Sequence, residues 1–143
     1  MPVEAADREW KLHGVWNEAR PETPMLKKFA DIVNARAGDK LKITVYPNAQ
    51  LGINDADMLR ILQRGTVVQM AGLWPGYMSR DEPQYANILP TGIVNDPETF
   101  LKLFPIMQQI YGETYKKWNI RMLGMLTHVV TQTHVFCKTP VSD

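Results

Sequence analysis

A single cysteine, Cys137, stands among the 143 residues, so no intrachain disulfide can form. That suits a reducing compartment, and it is equally compatible with a periplasm, where many proteins carry no disulfides. An excess of charge of either sign is also missing. The formal net charge is +1, with 22% charged and 45% hydrophobic residues. So balanced a chain gives no reason to expect nucleic acid or a membrane surface as partner. No apolar run approaches the roughly 20 residues of a membrane span. The start, MPVEAADREWK, lacks the basic and apolar regions of a signal peptide, which leaves a cytoplasmic protein or one whose signal has been removed. Internal repeats and low-complexity segments are absent too. What remains is an ordinary globular composition at a length usual for one domain.

The periodicities that are present alternate in kind. WKLHGVW (10–16) has strand alternation, with Trp10, Leu12 and Gly14 on one side. Thr23 and Pro24 read as an N-cap and first helical residue. Leu26, Phe29, Ala30, Val33 and Ala37 follow at helical spacing, and Gly38 stops the helix. KLKITVY (40–46) alternates strictly, with Leu41, Ile43 and Val45 on one face. Asn54, with Asp57 three residues on, reads as a variant of the capping box. It opens a helix striped by Met58, Leu59 and Leu62 and ended by Gly65. TVVQMAG (66–72) has the nearly continuous apolar character of a buried parallel strand. Residues 73–92 hold three prolines and two glycines and read as a long structured loop. Asp96 and Pro97 open a third helix, which Pro105 should kink or divide. IRMLGML (120–126) and TQTHVFC (131–137) are predicted as fourth and fifth strands.

Strand and helix in this order predict an α/β fold with a mainly parallel sheet and helices on both faces. Ligands of such sheets bind beyond the carboxyl ends of the strands. The residues there are Trp16 and Asn17, then 46–50, then Leu73 to Tyr77, then Thr127 and His128. Pro75 and Gly76 fix the loop under Trp74, and Trp74 with Tyr77 would form an aromatic wall. The stretch VYPNAQLGIND (45–55) lies on the same rim. Pro47 ends a strand, and Gln50-Leu51-Gly52 makes a tight turn with Gly52 at positive φ that sets up the Asn54 cap. Such a turn can brace the fold without touching a ligand. His128, His134 and Cys137 match no standard zinc spacing, and they read as ordinary histidines and a small buried thiol. The methionines at 58, 107, 122 and 125 fit core stripes, and Lys27, Lys28, Lys116 and Lys117 fit solvated helix faces.

LKKFADIVNARAGDKLKITVYPNAQLG, then MLRILQRGTVVQMA, Leu89-Pro90 and the closing KTPVSD resemble one family, the periplasmic solute-binding receptors of tripartite ATP-independent (TRAP) transporters. The resemblance implies a type II periplasmic-binding-protein lobe. Residues 1–126 would form the first lobe, and 127–143 the start of the crossover into a second. It implies a two-lobed receptor, without a cofactor or catalytic residues, that closes on a small organic anion and delivers it to membrane permease subunits from the periplasm. The expected ligand contacts are Trp16, Asn17, Leu73, Trp74, Tyr77 and Thr131. Thr131 stands where several acid-binding members place an arginine, so the aromatic wall suggests an apolar or aromatic acid. The family's chains are longer, its carboxylate arginine would lie beyond residue 143, and the chain as given is expected to self-associate. Two readings from other classes remain at this point. One is an enzyme using Cys137 with a histidine, and the other is a cytoplasmic interaction module.

Overall fold

A computed structural model describes residues 8–48, 50–86 and 96–125. Three parallel strands form one sheet: β1 (Glu9–Gly14), β2 (Lys42–Pro47) and β3 (Met70–Gly72), in the order β2-β1-β3. Between them run α1 (Glu22–Ala37) and α2 (Met58–Arg64), and a long α3 (Pro97–Lys117) follows. The chain thus leaves β1 for one edge, then crosses back to the other, and β1 becomes the centre.

The period-two and period-3.6 patterns decide what each face buries. Leu12 and Ile43 point to one side of the sheet and meet Leu26 and Ala30 of α1, flanked by Trp10, Trp16, Val33 and Val45. Phe29 falls off this face and is exposed. His13 alternates to the opposite side, where it is wholly buried and bonds Asp55 just before α2. A second core joins Leu59 of α2, Met78 and Tyr85 of the loop, and Met107 and Tyr111 of α3. The outer edge of β2 is closed by a side chain. Asn34 of α1 donates to the Ile43 carbonyl at 2.9 Å and accepts from the Ile43 amide at 2.7 Å, which satisfies both groups of an edge residue.

Several punctuation marks act as expected. Gly38, Gly52 and Gly65 all take positive φ, and Asp96 caps α3 by accepting from the Thr99 amide at 2.7 Å. Others act differently. Thr23 is not the cap of α1, which begins at Glu22. The Thr23 hydroxyl donates backward to the Asn17 carbonyl at 2.7 Å and the Trp16 carbonyl at 3.3 Å, so it ties the helix to the exit of β1. Asn54 accepts from Ala56 rather than Asp57, and the Asp57 side chain goes to Arg80, so the box is not reciprocal. Pro105 does not divide α3, because it sits on the exposed side, where water can meet the carbonyl it leaves without a helical donor.

Strand 66–72 shrinks to Met70–Gly72. Ahead of it the Gln69 amide donates to the Lys11 carbonyl at 3.3 Å, and the Gln69 side chain accepts from the Lys11 amide at 2.9 Å, so a side chain extends the ladder. Residues 120–125 do not form a strand. Ile120, Met122 and Met125 spend their apolar sides on the α3 core, and among the described residues no strand lies alongside to offer them a ladder. Strand 131–137 lies outside the described residues.

Candidate functional site

The carboxyl ends of β1 and β3 open side by side, since Gly14 pairs with Gly72. The chain after β3 turns at once. Trp74 stands before a one-turn 3-10 helix, Pro75–Met78, whose first bond runs from the Tyr77 amide to the Trp74 carbonyl at 3.1 Å. Proline at the first position fixes the turn, and the wholly buried Met78 pins its far end. The two rings are left outside, Trp74 at 55% exposure and Tyr77 at 46%. Their centroids are 6.0 Å apart at 73°, the edge-to-face geometry favoured by aromatic quadrupoles.

Of the six residues expected at the ligand, the structure brings these two together. Trp16 lies lower, against the first core, with its ring 3.4 Å from where a Cβ on Gly72 would stand. Leu73 packs toward the second core. Asn17 is exposed, and its side chain accepts from the Ala19 amide at 3.1 Å, a local turn contact. Thr131 lies outside the described residues, together with Thr127, His128, His134 and Cys137.

Charge at this rim is held in pairs. Arg80, six residues after Trp74, bonds the Asp57 carboxylate and donates to the Ala56 carbonyl at 3.1 Å. Arg60 reaches Asp81 at 2.6 Å, and Arg80 Nε stands 3.7 Å from the same carboxylate. The Arg80 hydrogen bond holds the Asp57 carboxyl below its ordinary 3.8. Sequence reading missed these residues, as well as the His13–Asp55 bond at 2.7 Å. One signal was available for His13: a side chain opposite Leu12 in a strand covered on both faces must be buried and needs a partner.

No group of three or more metal-ligating side chains occurs among the described residues. His13, wholly buried, cannot reach a solvent-borne substrate. A hollow of about 440 Å³ beside Gly112, Lys116, Ile120 and Met122 shares no residue with the strand ends.

Ligands of parallel α/β sheets bind beyond the carboxyl ends of the strands, which makes the exposed Trp74–Tyr77 pair there the candidate site. Comparison with known proteins gives the family. Residues 12–136 match the model of the bacterial extracellular solute-binding proteins, family 7, and the chain belongs to that family. Over 58 residues it is 40% identical to the C4-dicarboxylate-binding protein DctB of Bacillus subtilis, which covers 41% of this chain and 16% of that protein. Among solved structures it resembles DctP7 of Bordetella pertussis, an extracytoplasmic solute receptor binding pyroglutamic acid. The TM-score is 0.68 at 20% identity, over 78% of this chain and 36% of that one. It also resembles a TRAP periplasmic solute-binding protein of Sulfurospirillum deleyianum with bound succinate, with TM-score 0.66 and 21% identity, over 78% and 36%. The chain therefore spans little more than a third of the solved relatives it matches. The family is one of binding proteins, not enzymes. Among the described residues no helix is long and apolar enough to cross a membrane.

Proposed function

We propose that the chain forms the first lobe of a two-lobed periplasmic receptor that binds a small organic acid and hands it to the permease of a TRAP-type transporter. The observation that carries this reading is the Trp74–Tyr77 pair, exposed beyond the strand ends on a turn held rigid from beneath. Large rings in water lose stabilisation unless a ligand or a closing lobe covers them. The five described residues expected at the ligand carry no cation, and Arg60 and Arg80 are matched by Asp57 and Asp81. This lobe therefore grips the apolar body of the acid, and the carboxylate is met from the opposite lobe. Pyroglutamic acid and succinate, named for two relatives, set the size range; the aromatic wall favours acids with a flat or apolar body.

A thermal-shift screen of the chain extended through its second lobe tests this, with succinate, pyroglutamate, acetolactate and benzoate as probes. An acid present at 100 times its Kd should add about 2.7 kcal/mol of stability. A flat response to every acid would remove the reading.

A further inference from the structure

Two turns far apart in sequence are bolted together beneath the aromatic pair. From Trp74 to Glu82 the backbone is bonded without a break: Tyr77 to Trp74, Ser79 to Gly76, and Asp81 and Glu82 to Met78. These successive turns link the backbone at Arg80 to the backbone that carries Tyr77. Arg80 is held by two hydrogen-bond acceptors and faces a further carboxylate. Its Nη2 donates to both the Ala56 carbonyl and the Asp57 carboxylate, and its Nε faces Asp81 at 3.7 Å. Asp81 is itself only 4% exposed and takes Arg60 of α2 at 2.6 Å. On the other side, the turn Asp55–Asp57 is fixed to the sheet, because Asp55 bonds the buried His13 of β1. The series His13, Asp55, Asp57, Arg80 thus runs from the centre of the sheet to the base of the rings.

We propose that Arg80 is a positioning residue, whose guanidinium clamps the aromatic turn onto the Asp55–Asp57 turn and so sets the Trp74–Tyr77 pair at the strand ends. As a statement about ligand binding this rests on the function proposed above; as a statement about the rings it does not. Exposed ion pairs add little stability, so the clamp acts on geometry rather than on the folding equilibrium. It also gives the stretch 45–55 a purpose: the tight turn at Gly52 and the Asn54 cap present Ala56 O and the Asp57 carboxylate at fixed angles to one planar guanidinium. Lysine carries all its donors on one nitrogen, so it cannot bond the Ala56 and Asp57 oxygens from one end of a planar group while a second nitrogen faces Asp81.

Near-ultraviolet circular dichroism of the 143-residue chain tests the clamp. The difference between the parent and Trp74→Phe assigns the ring-pair signal. Arg80→Ala and Arg80→Lys should each lose about half of it or more, with the far-ultraviolet spectrum unchanged. Asp57→Asn, which keeps an acceptor but not the charge, should lose less. Full signal in Arg80→Ala, or full rescue by lysine, would overturn the proposal. If Arg80→Ala fails to fold, the ranking of Arg80→Lys and Asp57→Asn decides in the same way: lysine must lose more than asparagine. In the chain carrying both lobes, Arg80→Ala should weaken acid binding between about twofold and tenfold, the range of one aromatic contact. Loss of the ring signal with unchanged acid affinity would uphold the clamp and instead overturn the placement of the ligand on these rings.

Discussion

Thr23 occupies the second residue of α1 with its hydroxyl buried, and two carbonyls at the exit of β1 depend on it. Thr23→Val keeps the shape and removes the donor, so the Trp16 carbonyl loses this bond and the Asn17 carbonyl keeps only the Arg20 amide at 3.2 Å. A lost hydrogen bond at a half-buried site costs about 0.5–1.5 kcal/mol, so the urea midpoint should fall with the slope unchanged, and Thr23→Ser should recover most of it. An unchanged midpoint in Thr23→Val would contradict the account of this corner. Residue roles were the least legible part of the sequence. Thr23 followed by Pro24 has the form of a cap, and nothing local distinguishes a hydroxyl that accepts from a helix amide from one that donates back along the chain. Arg80 was unreadable for a similar reason: its partner Asp57 is 23 residues away, and no periodicity links them.

At the scale of elements, β2 is an edge strand whose outward groups at Ile43 are taken by the Asn34 amide. Asn34→Ala should cost about 1–3 kcal/mol and speed hydrogen exchange of the Ile43 amide, while neighbouring amides bonded to β1 stay protected. Equal protection in both proteins would show that water replaces the side chain at no cost. The second core makes a different demand. Tyr85 lies against Tyr111 and Tyr115, with centroids at 5.2 and 5.9 Å. Burial pushes the Tyr85 phenol from 10.0 up to about 12, raises Tyr111, and raises Tyr115 further. These groups are neutral when protonated, so the folded state holds its protons more tightly than the unfolded one. Their contribution is complete below about pH 10 and lost as pH climbs toward 12. Melting temperature should therefore fall steeply across that window, and less so in Tyr85→Phe; a level profile would refute the linkage. The periods that define β1, α1 and β2 were legible because each element's face is set by its own neighbours in sequence. The alternation at 120–125 had the same form without the same outcome: a strand needs a partner edge, a local pattern cannot supply one, and among the described residues none meets it.

Among the described residues much apolar surface is left in water. Met25, Phe29 and Ile32 make an exposed stripe at helical spacing on α1, and Leu101, Ile106, Ile110 and Leu123 are exposed on and after α3. Covering the half-exposed area of each such side chain gains roughly half of the 1.5–3 kcal/mol of full burial, so the 143-residue chain is expected to self-associate at micromolar concentration. Sedimentation as a single monomeric species with a cooperative melt would contradict that. The overall class was legible early, because the order of strands and helices and the stretch from Leu26 to Gly52 point the same way. The candidate site was legible only in outline: the sequence points to the strand ends, but packing decides that Trp16 and Leu73 face the cores while Trp74 and Tyr77 face outward. The central claim is that these two rings receive the body of an organic acid. Isothermal titration of the chain carrying both lobes, using an acid found by the thermal-shift screen, measures this directly. The account expects Trp74→Ala and Tyr77→Ala each to weaken binding by about tenfold, from the roughly 1.4 kcal/mol of one lost aromatic contact. An acid bound with equal affinity by the parent and both variants would contradict it.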